Sequence, residues 1–155
     1  MRKLLIALFG FAGLLGVTAT AAAESSHTAE QAKALVQKAA AYLKREGKEK
    51  ALGVFSDPRG EFVDGDLYLF VMDAVDGKLT MLAHGVNRAL IGKPQIDARD
   101  ANGKAFNQET IAALSTANEF WLTYAWPNPM TKKIAQKKSF LMKVDGVIIG
   151  AGIYN

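Results

Sequence analysis

From Thr28 onward, apolar residues recur at Ala32, Leu35, Val36, Ala39, Ala40 and Leu43, with Lys33, Gln37, Lys38 and Lys44 between them. That spacing of three and four is one face of an amphipathic helix. Thr28 stands where an N-cap is wanted, and Gln31 follows at the capping-box spacing. Gly47 interrupts the pattern. Lys48 to Phe55 predicts a second helical piece that turns Ala51, Leu52 and Phe55 inward. Ser56-Asp57-Pro58-Arg59-Gly60 is turn chemistry.

The period then changes to two. Asp66 to Asp73 reads as a strand with Leu67, Leu69 and Val71 on one face and Tyr68, Phe70 and Met72 on the other. Both faces are apolar, so this strand is expected to be central and covered on both sides. Asp76-Gly77 turns the chain into a second strand, Lys78 to His84. Gly85 to Pro94 is irregular, and Asp97 to Gly103 is a polar turn. A helix starting at Asn102 or Asn107 runs to about Asn118. Phe120 to Tyr154 supplies three further strands, divided by a Pro-containing loop and by Asp145-Gly146, a hairpin signal. The order predicts an α+β domain in which a long N-terminal helix packs on a five-stranded antiparallel sheet.

The first residues fall outside this pattern. Arg2 and Lys3 precede an apolar run from Leu4 to Val17, and Ala21-Ala22-Ala23 follows. This reads as a secretory signal peptide over residues 1–23, cut after Ala23, with one domain over 24–155. The run is short for a bilayer span, and no second apolar span follows. Removing Arg2 and Lys3, two positive charges, takes the formal net charge from +4 to +2. That balance predicts no nucleic-acid partner. With Cys at 0, disulfides, thiol catalysis, thiolate-bound zinc and a lipoprotein anchor are all excluded. An exported chain without disulfides fits the bacterial periplasm.

Four segments carry a resemblance. They are Gly65 to Asp73; Leu82 to Asn87 with Leu90 to Lys93; Asp100 to Phe106; and Tyr124 to Pro127 with Lys137 to Phe140 and Gly150 to Tyr154. In this order they resemble the single Cache domain family, the extracellular PAS-like sensor modules of bacteria. The resemblance implies a PAS-like sheet and a pocket between the sheet and the loops after the second strand. It also implies small organic acids, amino acids or related metabolites as ligands. Family members usually sit between two membrane helices of a chemoreceptor or histidine kinase, and this sequence reads as a free-standing version. Phe140 departs from the pattern where relatives often have Tyr, which predicts one pocket hydroxyl fewer.

Lys137 and Lys138 begin a predicted strand and therefore point to opposite faces. The motif match assigns Lys137 to the pocket, as partner for a ligand carboxylate; the alternative is a strand edge guarded by lysines. Tyr124 and Trp126 share a face at the end of their strand. They read either as rim groups closing over a ligand or as core aromatics. Tyr68 has the same ambiguity and carries a donor. His84 ends the second strand, either donating to a carboxylate and changing charge near neutral pH or serving as a hydrogen-bonded loop residue. Gly150 and Gly152 share a strand face and permit close approach by a helix or a ligand.

No metal site is expected: His27 is the other histidine, and no three-ligand cluster exists. Asp100 to Gly103 with Glu109 overlaps a calcium loop, but Ala98 holds its first ligand position, so it reads as a turn. No nucleophile has an activating base and no Gly-rich phosphate loop is present, so an enzyme is not expected and no cofactor is called for. The expected function is a periplasmic small-molecule sensor, with a carboxylate favoured, feeding a membrane-bound receptor or histidine kinase. Its alternatives are a haem sensor with His84 as axial ligand, and an interaction subunit that forms a homodimer through its N-terminal helix beside a vestigial pocket.

Overall fold

A computed structural model of the chain describes residues 27–155. The signal segment and its cleavage point lie outside the described residues. Helix α1 spans Ala29–Glu46. Its capping box is closed on both sides: the Gln31 amide donates to the Thr28 hydroxyl at 3.3 Å, and the Thr28 amide donates to Gln31 Oε1 at 2.7 Å. Gly47, at φ 82°, ends the helix and donates its N–H to the Leu43 carbonyl at 3.0 Å. A side chain is strained at that angle, so glycine is what lets α2, Lys48–Phe55, start at once.

Six strands follow: β1 Val63–Asp64, β2 Leu67–Asp73, β3 Met81–His84, β4 Glu119–Pro127, β5 Ile134–Val144 and β6 Val147–Tyr154. Helix α3, Phe106–Leu114, lies between β3 and β4. The antiparallel sheet runs β1-β2-β6-β5-β4, with β3 also paired to β2. The expected five strands gain a sixth because two residues of β1 pair with Leu67 and Tyr68. The β5–β6 hairpin turns on Asp145 and Gly146, both at positive φ (47° and 77°), as a primed turn requires.

Period two now becomes two cores. Leu67, Leu69 and Val71 of β2 join Phe140 of β5 and Ile149 of β6 under Val36 and Ala39 of α1. The aromatic rings of Tyr42, Phe55 and Phe62 close that side, with centroids 4.8–5.8 Å apart. On the other face Phe70 and Met72 meet Leu141, Leu122 and Ile148 under Phe106 and Leu114. The central strand is therefore covered on both sides, as its apolar faces predict. The apolar stripe of α1 is consumed by the sheet, and its outward face carries Lys33, Lys38 and Lys44.

Two boundaries differ from expectation. β3 starts at Met81 rather than Lys78. Asp76 draws the amides of Lys78 and Thr80 onto its carboxylate, and Leu79 takes φ 51°, so the chain loops before it pairs. α3 starts at Phe106 with no side-chain cap and stops at Leu114. There the Ser115 hydroxyl donates to the Ala112 carbonyl at 2.7 Å, drawing the helix end onto itself.

Candidate binding pocket

The sheet face opposite α1 is hollowed beneath α3. Register builds its floor: Lys137 of β5 lies opposite Tyr124 of β4 and Tyr154 of β6. Tyr68 and Phe70 come from β2. Gly150 and Gly152 admit neither helix nor ligand directly. They make room for neighbours: an added Cβ would overlap the Phe70 ring at the first and the Ser139 hydroxyl at the second. The roof is Met81 and His84 of β3, Gln95 of the following loop, and Phe106 and Asn107 of α3.

The cavity is small. The volume open to the centre of a water-sized sphere is about 30 Å³, and by that measure one water needs about 10–15 Å³. An outer groove lined by Val86, Asn87, Pro127 and Lys132 lies beyond it. Tyr68, His84 and Trp126 border both spaces and form the wall between them.

Lys137 is 1% exposed, and its Nζ sits 3.8 Å from the centre of the Tyr68 ring, 5.1 Å from Tyr154 and 5.4 Å from Phe70. These rings give it cation–π contact. Among the described residues no hydrogen bond or ion pair joins it to the protein. It stands inside β5 rather than at the strand's start. Burial pulls its pKa down to about 7, against a weaker pull upward from Asp66.

His84 is held by its backbone. Its Nδ1 accepts the amides of Val86 at 3.3 Å and Asn87 at 3.0 Å, so the neutral ring carries its proton on Nε2. Burial, then the charge of Lys137, drives its pKa to about 3. Of its two readings, His84 takes that of a hydrogen-bonded loop residue rather than one changing charge near neutral pH; what the ring offers is a neutral N–H. A ring locked in this tautomer is a poor axial ligand for haem iron, and a 30 Å³ cavity has no room for the macrocycle.

The remaining aromatics divide. Of the two readings open for Tyr124, rim or core, the structure takes the core: it is buried. It stacks on Phe106 with centroids 4.5 Å apart and an interplanar angle of 4°, and its hydroxyl pairs with Ser139 at 3.2 Å. Burial pushes its pKa above the ordinary tyrosine value. Trp126 is the rim residue, edge-on to Phe106 and Tyr124 at 5.7 and 5.8 Å. Tyr154 donates to the Pro127 carbonyl at 2.9 Å, so its oxygen accepts from Tyr68 at 3.0 Å. The structure thus brings Lys137, His84, Tyr68, Tyr124 and Trp126 around one cavity, but both buried tyrosines have committed hydroxyls.

Two polar lining groups, Asn107 and Gln95, and a ring beside Lys137, Tyr154, are absent from the expected set. Tyr154 follows Gly150 and Gly152 at the same parity, which could have revealed it. Asn107 reads as a helix cap, yet it is buried and donates from Nδ2 to the Gln95 carbonyl at 2.7 Å. Gln95 in turn donates from Nε2 to the Lys93 carbonyl at 3.1 Å. Both depend on a loop meeting a helix, which no periodicity encodes. Phe140 corrects a further expectation. It faces α1, packed on Trp121 at 5.1 Å, so the pocket loses no hydroxyl there.

Behind Lys137 lies Asp66. It accepts from His27 Nδ1 at 3.0 Å and from Asn128 Nδ2 at 3.3 Å, and His27 Nε2 lies 3.2 Å from Asp64. Burial lowers the His27 pKa, but bonds to Asp66 and Asp64 outweigh it and the net shift is upward. Asp100 serves a turn, as expected: its carboxylate accepts from Asn102, Lys104 and Ala125 at 2.8–2.9 Å. Among the described residues no His, Cys, Asp and Glu cluster suits a metal, and no helix is long and apolar enough to cross a membrane.

A helix laid on an antiparallel sheet with a small hollow on the far face defines a PAS-like α+β fold. The family model Single Cache domain 2 matches residues 12–155, and the chain belongs to that family. Cache domains are small-molecule sensors carried by chemotaxis receptors. Among solved structures, a methyl-accepting chemotaxis protein from Vibrio parahaemolyticus is similar at TM-score 0.67 and 21% identity, over 81% of this chain and 86% of that one. A Cache chemosensory domain described for its carboxylic acid recognition matches at TM-score 0.66 and 23% identity, over 81% and 91%. A periplasmic sensor domain of a chemotaxis protein matches at TM-score 0.61 and 27% identity, over 81% and 88%. No curated protein sequence matches the chain.

Proposed function

We propose that the protein is a non-enzymatic periplasmic sensor that binds a small carboxylic acid and passes the signal to a membrane-bound receptor or histidine kinase. One observation carries this reading: a buried lysine with no ion-pair partner among the described residues looks into a small cavity. An ammonium in an apolar cleft is costly unless an anion meets it. The carboxylate of a ligand supplies that anion, and the Nε2–H of His84 donates to its second oxygen. Charge-assisted bonds of this kind contribute about 1.5–3 kcal/mol each. The cavity, two or three waters in size, selects acids of few heavy atoms. The similar Cache domain that recognises carboxylic acids supports the same ligand class. Ligand entry past Trp126 orders the loop from Gly85 to Lys93.

Titration calorimetry of the purified protein against acetate, propionate, lactate and pyruvate is the test. Binding of at least one is expected, and loss of that binding in Lys137→Met. Undiminished binding by the variant rules out the assigned role of the lysine.

A further inference from the structure

We propose that above neutral pH the pocket takes up a carboxylate together with a proton, the anion binding to a Lys137 that is reprotonated as it binds. The inference rests on the carboxylate reading above and concerns what else must arrive with the ligand.

The groups facing Lys137 can be counted element by element. β2 presents Tyr68, β6 Tyr154 and β4 Tyr124, three phenols whose burial keeps them neutral. β3 presents His84, whose Nδ1 is occupied and whose ring is neutral. Among the described residues the one carboxylate within electrostatic range, Asp66, makes no ion pair with Lys137 and is already engaged by His27 and Asn128. With no ligand bound, the amine therefore has aromatic faces for neighbours and no protein acceptor among the described residues. Such a site favours the neutral amine over the ammonium. A carboxylate in contact with Nζ reverses that preference, because opposite charges at contact in a low-dielectric cleft attract strongly. The bound complex then holds a proton that the empty pocket has partly released. Since binding and protonation are linked, each must strengthen the other.

The size of the effect follows from the free amine titrating at about 7. At pH 8 about nine in ten empty pockets hold a neutral lysine, and at pH 6 about one in ten. Uptake on binding is then about 0.9 proton at pH 8 and about 0.1 at pH 6. The dissociation constant rises about tenfold per pH unit above neutrality and is flat below it.

Calorimetry with acetate reads this directly. At pH 8 the apparent enthalpy is measured in HEPES and in Tris, and at pH 6 in MES and in Bis-Tris. The slope against buffer protonation enthalpy is the number of protons taken up. Slopes of about 0.9 and 0.1 are expected. Acetate binding with zero slope at pH 8 overturns proton uptake and leaves the carboxylate reading standing. A slope near one at both pH values places the proton on His84 and overturns the assignment to Lys137. Absence of binding by acetate, propionate, lactate and pyruvate at either pH sinks the carboxylate reading itself. Lys137→Arg, whose charge is fixed, should bind with zero slope wherever its melting curve shows a folded protein. Retained uptake in that variant also refutes the proposal. The pH profile of the wild-type constant keeps the test open if the variant does not fold.

Discussion

Replacing Lys137 by methionine should make the protein more stable while removing its ligand. Methionine keeps an unbranched chain of similar length in the slot between Tyr68 and Tyr154 and carries no charge. The penalty it relieves can be worked from the titration. A lysine brought from its ordinary 10.5 to about 7 by burial burdens the native state with about 5 kcal/mol, at about 1.36 kcal/mol per pH unit. The sign runs one way. Below pH 7 both folded and unfolded lysines are charged and the penalty is complete. Between 7 and 10.5 the unfolded chain holds a proton that the folded one has released, so wild-type stability climbs with pH. Above 10.5 both are neutral and nothing remains. The variant should therefore exceed wild type by about 2–5 kcal/mol at pH 6, and the gap should close toward pH 10. For a domain of this size that is a rise in Tm of about 10 °C or more. Urea unfolding of both proteins at pH 6, 7.5 and 9 measures it. A variant no more stable than wild type at pH 6, or a gap indifferent to pH, would refute the account of the buried amine.

Two further outcomes follow from the same geometry. Gly150→Ala places a methyl group against the Phe70 ring, which should cost about 1–3 kcal/mol and drive the ring into the cavity. Calorimetry should show a lower Tm and weaker acetate binding together. His27→Ala removes the imidazole that bridges Asp64 and Asp66. The native pKa of His27 is raised, so its contribution is complete below pH 6.5 and is lost as pH rises through the folded value. The variant should be destabilised by about 1 kcal/mol at pH 5.5 and by less at pH 8.5, as denaturant midpoints will show.

Elements whose causes are local were legible in the sequence. Thr28 and Gln31 cap α1 through bonds three residues apart. Asp145-Gly146 sets its hairpin by backbone angle alone. Parity along β2 separated Tyr68 and Phe70 from Leu67 and Leu69, and those sets line opposite cores. Parity set Lys137 and Lys138 on opposite faces and the family motif chose Lys137 for the pocket; parity applied to Phe140 would have removed that residue from the pocket. What stayed hidden comes from encounters between distant segments. Asn107 looks like a cap until the loop carrying Gln95 is laid beside it. The charge state of His84 depends on its burial and on a lysine from another strand, and its tautomer on two loop amides. The committed hydroxyl of Tyr124 depends on a serine brought opposite by β5.

The sheet keeps its two duties on its two sides. The residues that bind α1 secure the fold, and those beneath α3 shape the hollow, with only backbone shared between them. Chemical preference can therefore drift through exchanges at positions such as Met81, Gln95 or Leu122 without disturbing the helix-bearing side. A scaffold divided in this way can be retuned to new metabolites by libraries confined to a single surface.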